Sequence, residues 1–440
     1  IYEYLRRFMK ETIFALSTVP GLSAIAVFRI SGPSAFSVLK NITRGNLPQS
    51  RFATLKKIFW EGEVVDKCIV ITFKKNESFS GEKTVEIHCH GSVAIIEKLA
   101  SILTLCGPKL NLRPAEEGEF TRQAFYNGKM DLIQVEGLSE LLRAETEAQR
   151  KIFFDSLDGV VSKKVDTWKS KILSILAFLE ADIDFNDQDI GDINILNMIS
   201  ELIELLKKEQ DGFKDIRSIK QGLEIAIIGP PNVGKSTLIN NLVKRNVSLT
   251  SRIAGTTRDI IEAKVQINGV YVTFLDTAGL RDTKDTIEKK GISLIKKRLK
   301  TVALKIFLIK KESDLKSMGV KVGTNDLILK SKADRGNRTK YRGISGKTGF
   351  GVKDAIDKIG TKLPTVYVNS GVIATYRQQS KTNDLLSLLS DLTTDIKNGL
   401  DVELIAEKAR DGLKIVEELT GKIDTEEVLG IIFKSFCIGK

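Results

Sequence analysis

The stretch Leu223-Glu-Ile-Ala-Ile-Ile228, followed by Gly229-Pro-Pro-Asn232-Val233-Gly234-Lys235-Ser236-Thr237, decides how the middle of this chain folds. A short apolar run bounded by turn residues reads as a buried strand. The spacing GxxxxGK[ST] that follows reads as a phosphate loop, and Thr237 to Leu242 continue it as a helix. Glycines let the backbone curl so that its N–H groups and the helix N-terminus face phosphates, while Lys235 reaches the outer phosphates and the Ser236 hydroxyl can ligate Mg²⁺. Outward from this loop, residues of about 216 to 364 alternate strands and helices as a parallel α/β domain does.

Both flanks are helical in period. Val165, Trp168, Ile172, Ile175, Leu176, Leu179 and Ile183 fall on one face at three- and four-residue steps, within a helical region from Leu132 to about Gly212. Leu385, Leu388, Leu389, Leu392, Ile396, Leu400, Leu404 and Ile405 repeat the pattern near the end. Ordinary core packing explains both stripes better than a ligand does. The simplest assembly is an α/β domain inserted into a helical domain whose halves flank it in sequence, with two independent helical domains as the alternative. The first 130 residues mix β-rich runs, Ala24 to Ile30 and Cys68 to Phe73, with one helix near Val93 to Leu105, and read as a compact α+β domain. The expected divisions are 1–130, 131–215, 216–364 and 365–440.

A length of 440 residues suits roughly two to four domains. No apolar run approaches the roughly 20 residues needed to span a bilayer, and Ile1 to Lys10 has no signal-peptide core, so a cytoplasmic protein without a membrane partner is expected. Cys68, Cys89, Cys106 and Cys437 contain no CxxC, which argues against a disulfide frame or a cysteine-based metal site. A net charge of +12 suits a polyanionic partner. Compositional drift produces the same excess, and the run Lys289, Lys290, Lys296, Lys297, Arg298, Lys300 reads equally as a solvated helix face.

Further elements follow the phosphate loop in the order and spacing of a GTPase. Gly255-Thr256-Thr257-Arg258-Asp259 supplies Thr257 for Mg²⁺ and the γ-phosphate; Asp276-Thr277-Ala278-Gly279, ending the strand Val272 to Leu275, senses the γ-phosphate. Ser331-Lys332-Ala333-Asp334 stands where an Asn-Lys-x-Asp guanine reader is expected, and Ser345-Gly346-Lys347 is its companion loop. Leu280 occupies the place of the glutamine that orients water in small GTPases, so another group must do that work. Asn232 is placed to help hold a monovalent cation. Glu288 is a candidate to orient water, although as a bare sequence position it reads first as a surface carboxylate.

At these residues the chain resembles the MnmE (TrmE) family of tRNA-modifying GTPases, over nearly its full length. The likeness is carried by Phe28-Arg29-Ile30-Ser31-Gly32-Pro33, Ser80-Gly81-Glu82 with Glu86 and His90-Gly91, Gly118-Glu119-Phe120, and Asn127-Gly128-Lys129-Met130-Asp131-Leu132. It continues through Ala254 to Asp259 and Asp276 to Arg281, and closes on Phe436-Cys437-Ile438-Gly439-Lys440. The resemblance implies a folate-binding N-terminal domain that dimerises, a helical domain made from two segments, and an inserted G domain. It implies K⁺ held by Asn232 and the carbonyls of Ser251, Ile253 and Thr256, with Arg252 and Ala254 in the same nucleotide loop and Val233 among the phosphate-loop contacts. Glu288 becomes the catalytic carboxylate, acting with Lys235, Thr257 and Gly279.

The resemblance also makes Arg29, Glu86, Lys129 and Lys440 the contacts to a 5,10-methylene- or 5-formyl-tetrahydrofolate, charges suited to a pterin edge and glutamate carboxylates. Cys437 is either a nucleophile or a packed thiol. The implied reaction places an aminomethyl or carboxymethylaminomethyl group on C5 of the wobble uridine of certain tRNAs, together with the FAD-dependent partner MnmG (GidA). Several positions depart from the family: Pro20 to Ala24 lacks Arg-Gly-Gly, Arg113 to Gly118 holds three extra residues, Lys310-Lys311 stands where GTPases often place Asp, and Ser331 replaces an amide. Met9-Lys-Glu-Thr-Ile-Phe resembles a family start, so residues 1 to 8 are expected to precede the initiator. The alternatives are a ribosome-assembly GTPase, which lacks its RNA-binding appendage here, and a scaffold whose nucleotide site has weakened.

Overall fold

The computed structural model describes residues 11–184, 192–245, 263–276, 298–299, 301–335, 340–363, 373–423, 426–434 and 436–440. The chain divides into two compact units. The first comprises residues 1–143, 154–207 and 375–440; the second, 144–153 and 208–374, is inserted in its sequence.

In the first unit, β1 (Thr12–Leu16), β2 (Ile25–Ser31), β3 (Thr54–Trp60), β4 (Glu63–Phe73), β5 (Thr84–His90) and β6 (Leu112–Pro114) form one sheet in the order β3-β4-β5-β2-β1-β6. All neighbours are antiparallel except β1 and β6. Period-2 alternation gives the sheet one buried face, where Phe28, Ile30, Val70 and Ile87 pack against α1 (Ala35–Ile42) and α2 (Val93–Leu110). The helix expected to end near Leu105 runs five residues further, through Pro108, to Asn111 in the left-handed region. Its amide bonds the Gly107 carbonyl, a close that an asparagine tolerates well.

The helical part of this unit holds α3 (Glu119–Tyr126), α4 (Leu132–Leu141), α5 (Glu147–Leu157), whose first turns belong to the second unit, and α6 (Val160–Asp184). A helix α7 (Asp192–Gln221) leads from this unit into the second. On α6 the predicted face is buried from Val165 to Leu179, while Ile183 is half-buried. The later stripe is carried by two helices: α11 (Tyr376–Lys397) and α12 (Val402–Thr420) are separated by a turn in which Gly399 has φ 70°. The register therefore breaks, and Leu404 is exposed while Ile405 is buried. Glu136 of α4 joins the two helical segments. It accepts from Arg377 Nε at 2.6 Å and Gln378 Nε2 at 2.6 Å, and Arg377 also donates to the last-turn carbonyls of Glu418 and Leu419, both at 3.0 Å. A cation on the end of α12 meets the negative pole of that helix.

The second unit is a six-stranded sheet in the order β12-β11-β10-β7-β9-β8: β7 (Leu223–Ile228), β8 (Ala263–Ile267), β9 (Val270–Asp276), β10 (Leu304–Ile309), β11 (Leu327–Ser331) and β12 (Arg342–Ile344). All pairs are parallel except β8 with β9. Central strands β7 and β10 are nearly continuous apolar runs because both faces are covered. The helices are α8 (Lys235–Arg245), α9 (Ser313–Ser317) and α10 (Val352–Lys362). This is mixed α/β architecture, with an α+β N-terminal sheet, a discontinuous helical part and an inserted parallel sheet flanked by helices. A last helix in the first unit, α13 (Glu426–Phe433), precedes the tail. No helix among the described residues is long and apolar enough to cross a membrane.

Candidate functional site

In the second unit, β7 delivers the chain to Gly229 and α8 starts at Lys235, so the phosphate loop lies at the carboxyl edge of the parallel sheet, where ligands of open α/β sheets bind. The backbone enforces the motif. A Cβ at Gly229 would lie 2.4 Å from the Leu308 carbonyl oxygen, and Asn232 and Gly234 take φ of 56° and 103°. These conformations suit a loop whose amides turn inward as an anion cradle. Lys235 is buried, and its ammonium donates to the carbonyls of Gly229 at 2.9 Å and Pro230 at 3.4 Å. Ser236 and Thr237 are exposed in the first turn of α8.

Beside the loop is a cavity of about 220 Å³, lined by Val233, Gly234, Thr237, Leu238, Leu308, Ser331, Lys332, Asp334, Ile344, Ser345, Gly346 and Lys347. It brings the predicted base-reading residues together with the phosphate loop. Ala333 starts the short helical turn that carries Asp334. Gly346 is held close to α8: its carbonyl accepts from Asn241 Nδ2 at 3.0 Å, and a Cβ there would lie 2.8 Å from the Leu238 amide nitrogen. Ser331, 8% exposed, donates its hydroxyl to the Val233 carbonyl. The departure from asparagine thus still ties the end of β11 to the phosphate loop. Sequence reading missed the apolar walls Leu238, Leu308 and Ile344, which look like core residues and come from three separate elements.

Asp276 ends β9, opposite Ile227 of β7. Ser251 to Thr257, Thr277 to Gly279 and Glu288 lie outside the described residues, so the K⁺ carbonyls, the Thr257 ligand and the catalytic carboxylate have no geometry here. Residues 1 to 10 lie outside them too. Among the described residues no group of three or more His, Cys, Asp or Glu is placed to hold a metal.

A second constellation forms on the N-terminal sheet of the first unit. Strand register sets Arg29 opposite Glu86, and the guanidinium donates from Nε at 3.1 Å and Nη2 at 2.9 Å to Oε1. The rings of Phe79 and Phe120 lie 5.8 and 5.7 Å from the Arg29 Cζ. The C-terminal tail reaches this place: Arg29 Nη1 is 3.5 Å from the Gly439 carbonyl, which also accepts from Ser17 Oγ at 3.2 Å. Gly439 has φ 100°, and a Cβ there would lie 2.6 Å from the Leu16 carbonyl oxygen, so only glycine passes. Burial, with the charge of Arg29 beside it, pushes the Lys440 ammonium below its usual pKa. Arg29, paired with Glu86, and the half-buried Lys440 thus place two cations near one another, with one carboxylate held by Arg29.

Lys129 contacts a different loop, donating to the Asn76 carbonyl at 2.7 Å. Cys437 is an exposed free thiol, while Cys68, Cys89 and Cys106 are buried. Burial raises Cys68 to about 12 and Cys89 to about 11, which leaves both as inert thiols. Near β6, Glu119 is fully buried and takes both Arg113 Nη atoms, at 2.9 and 2.5 Å, with Glu11 on Arg113 Nε at 2.7 Å. The altered loop Arg113 to Gly118 is thereby pinned by its own ion-pair cluster.

Fold and site together define a P-loop nucleotide-binding protein of the G-domain type, joined to an α+β sheet and a helical domain. Residues 12–129 match the family described as GTP-binding protein TrmE N-terminus, and residues 132–437 match the MnmE helical domain. Proteins called tRNA modification GTPase MnmE from two strains of Cereibacter sphaeroides are 38% and 39% identical to the chain, each match covering 98% of this chain and 100% of the relative. One from Ruegeria pomeroyi is 39% identical over the same shares. The chain belongs to the MnmE family of tRNA modification GTPases.

Proposed function

We propose that this protein is a K⁺-stimulated GTP hydrolase that acts with an FAD-dependent MnmG partner to place an aminomethyl or carboxymethylaminomethyl group on C5 of the wobble uridine of certain tRNAs. The observation that carries the reading is the union of the phosphate loop with Ser331, Asp334 and Ser345 to Lys347 around one cavity, in a chain matched over 98% of its length by tRNA modification GTPases. Asp334 accepts from the guanine N1 and N2 hydrogens, and loop amides with Lys235 hold the phosphates. Ser236 and Thr257 ligate Mg²⁺, Asn232 with the Ser251, Ile253 and Thr256 carbonyls holds K⁺, and Asp276 to Gly279 respond to the γ-phosphate. Glu288 orients the attacking water that Leu280 cannot.

Arg29 and Glu86 of the N-terminal domain, 1–130, with Lys440 of the C-terminal tail, bind a tetrahydrofolate, and Lys129 reaches it from the neighbouring loop. The bound folate supplies a one-carbon unit; the chain's residues anchor its anionic and pterin groups and exclude competing orientations. The crowding of Arg29 and Lys440 supports this reading. The domains 131–215 and 365–440 form the helical frame, the G domain 216–364 drives its cycle, and the protein works as a cytoplasmic homodimer. Steady-state GTP turnover in Mg²⁺ tests the hydrolytic part. Turnover is expected to be faster in K⁺ than in Na⁺, and Glu288→Ala to lose at least about tenfold with nucleotide affinity unchanged. Equal rates in the two salts would remove the cation from Asn232, and an unimpaired variant would return Glu288 to the surface.

A further inference from the structure

The positive charge of the chain is not spread evenly. Residues 216–364 hold 31 Lys and Arg against 13 Asp and Glu, a net of +18, whereas all other residues hold 37 against 43, a net of −6. Uniform compositional drift toward lysine would raise both parts alike. The excess therefore belongs to the inserted domain, and the sheet shows where some of it is displayed.

β10 and β11 pair in parallel up to Ile309 opposite Lys330, so Lys310 and Lys311 after β10 and Lys332 after β11 leave the sheet at the same carboxyl edge. Lys310, Lys311 and Lys316 are exposed, as are Lys332 and Lys347 at the rim of the base cavity. None of the five is held in an ion pair among the described residues. Buried Asp314 offsets part of this charge but makes no ion pair with the lysines: its Oδ2 accepts from the backbone amides of Lys310 at 2.8 Å and Lys311 at 3.1 Å. Those bonds fix the backbone at the end of β10, where the exposed Lys310 and Lys311 follow one another. Exposed Glu312 is the acidic exception on this segment.

We propose that the inserted domain carries the main RNA-backbone surface of the protein, with Lys310, Lys311 and Lys316 among its phosphate contacts. The inference rests on the reading of tRNA as the substrate and adds to it where the RNA lies: against the carboxyl edge of the nucleotide-binding sheet, next to the GTP site. Binding of this kind is dominated by counterion release and follows salt steeply. RNA seated there would also sense the nucleotide through the residues that line the cavity.

The test uses the full chain and unmodified tRNA, with affinity measured by fluorescence anisotropy across a KCl series. Lys310→Glu/Lys311→Glu/Lys316→Glu is compared with Lys163→Glu/Lys397→Glu/Lys422→Glu, an equal change in charge at exposed sites of the helical part. Turnover of GTP without RNA, retained in the first variant, certifies its fold. If it is lost, the neutral Lys310→Gln/Lys311→Gln/Lys316→Gln variant replaces it. The proposal expects the slope of log affinity against log salt to shrink by about two to three and affinity to fall at least about tenfold in the first variant, with the second near wild type. An unchanged slope and affinity, or equal losses in both variants, overturns the proposal. Absence of any salt-dependent tRNA binding by the wild-type chain overturns instead the reading beneath it.

Discussion

Replacing Ser331 by alanine removes one hydroxyl from the place where the base pocket meets the phosphate loop. In the structure that hydroxyl is buried and its partner is the Val233 carbonyl. Alanine fits the space and leaves the carbonyl without its donor, which for a buried group costs about 1–3 kcal/mol. Where the cost appears depends on the loop. If the loop keeps its shape without nucleotide, the cost falls on the stability of the inserted domain; if it relaxes, refolding it on the phosphates weakens affinity by a factor of about 5 to 150. The two effects draw on the same free energy, so their sum is the prediction. Fluorescent GDP titration with urea unfolding of the same preparation measures both. Ser331→Asn, which restores a donor, should recover most of the loss. If Ser331→Ala changes neither GDP affinity nor stability, the bond to Val233 is not what holds this end of the pocket.

Other expectations concern the frame around the sites. Glu136→Ala leaves Arg377 without its carboxylate in a largely buried position, and Arg377 keeps two carbonyl partners, so the loss should be at the lower end of the range for broken buried pairs, about 3 kcal/mol by chemical denaturation. A loss under about 1 kcal/mol would mean the pair does not staple the two helical segments. Asp66 should make stability acid-sensitive. Burial alone would raise its pKa, but the His90 amide and ring and the Lys67 amide outweigh that and hold it below the usual value. Its contribution is therefore fully present above the unfolded value of about 3.9 and disappears as pH falls through the folded one. Melting temperature measured from pH 7 to pH 3 should drop less steeply for Asp66→Asn than for the wild type, and parallel curves would clear Asp66 of the effect.

What was legible in the sequence followed from how local the signal is. The phosphate loop needs only consecutive residues, and Gly229 and Gly234 are there for reasons a sequence shows, since close approach and positive φ both demand glycine. The α6 face was legible for the same reason, because its period survives without a partner. The later stripe misled where Gly399 ends a helix that hydrophobic spacing alone would continue to Ile405. The cavity walls were hidden because Leu238, Leu308 and Ile344 meet only after two strands and a helix have packed, and nothing local separates such an apolar residue from core. Ser331 was read as a deficit; its geometry gives it a partner 98 residues away, which no window of sequence contains. Family likeness, not periodicity, grouped Arg29, Glu86 and Lys440 as contacts to one ligand, but the bond between Arg29 and Glu86 and the return of Gly439 across 410 residues to the same guanidinium come from the fold.

Service to the wobble uridine of tRNA, the role proposed for this GTPase, is open to direct test by nucleoside mass spectrometry of total tRNA from cells lacking the gene. The expected result is loss of the 5-aminomethyl-type uridines, with restoration by the wild-type chain and not by Lys235→Ala. Unchanged wobble uridines in the deletion strain would contradict it.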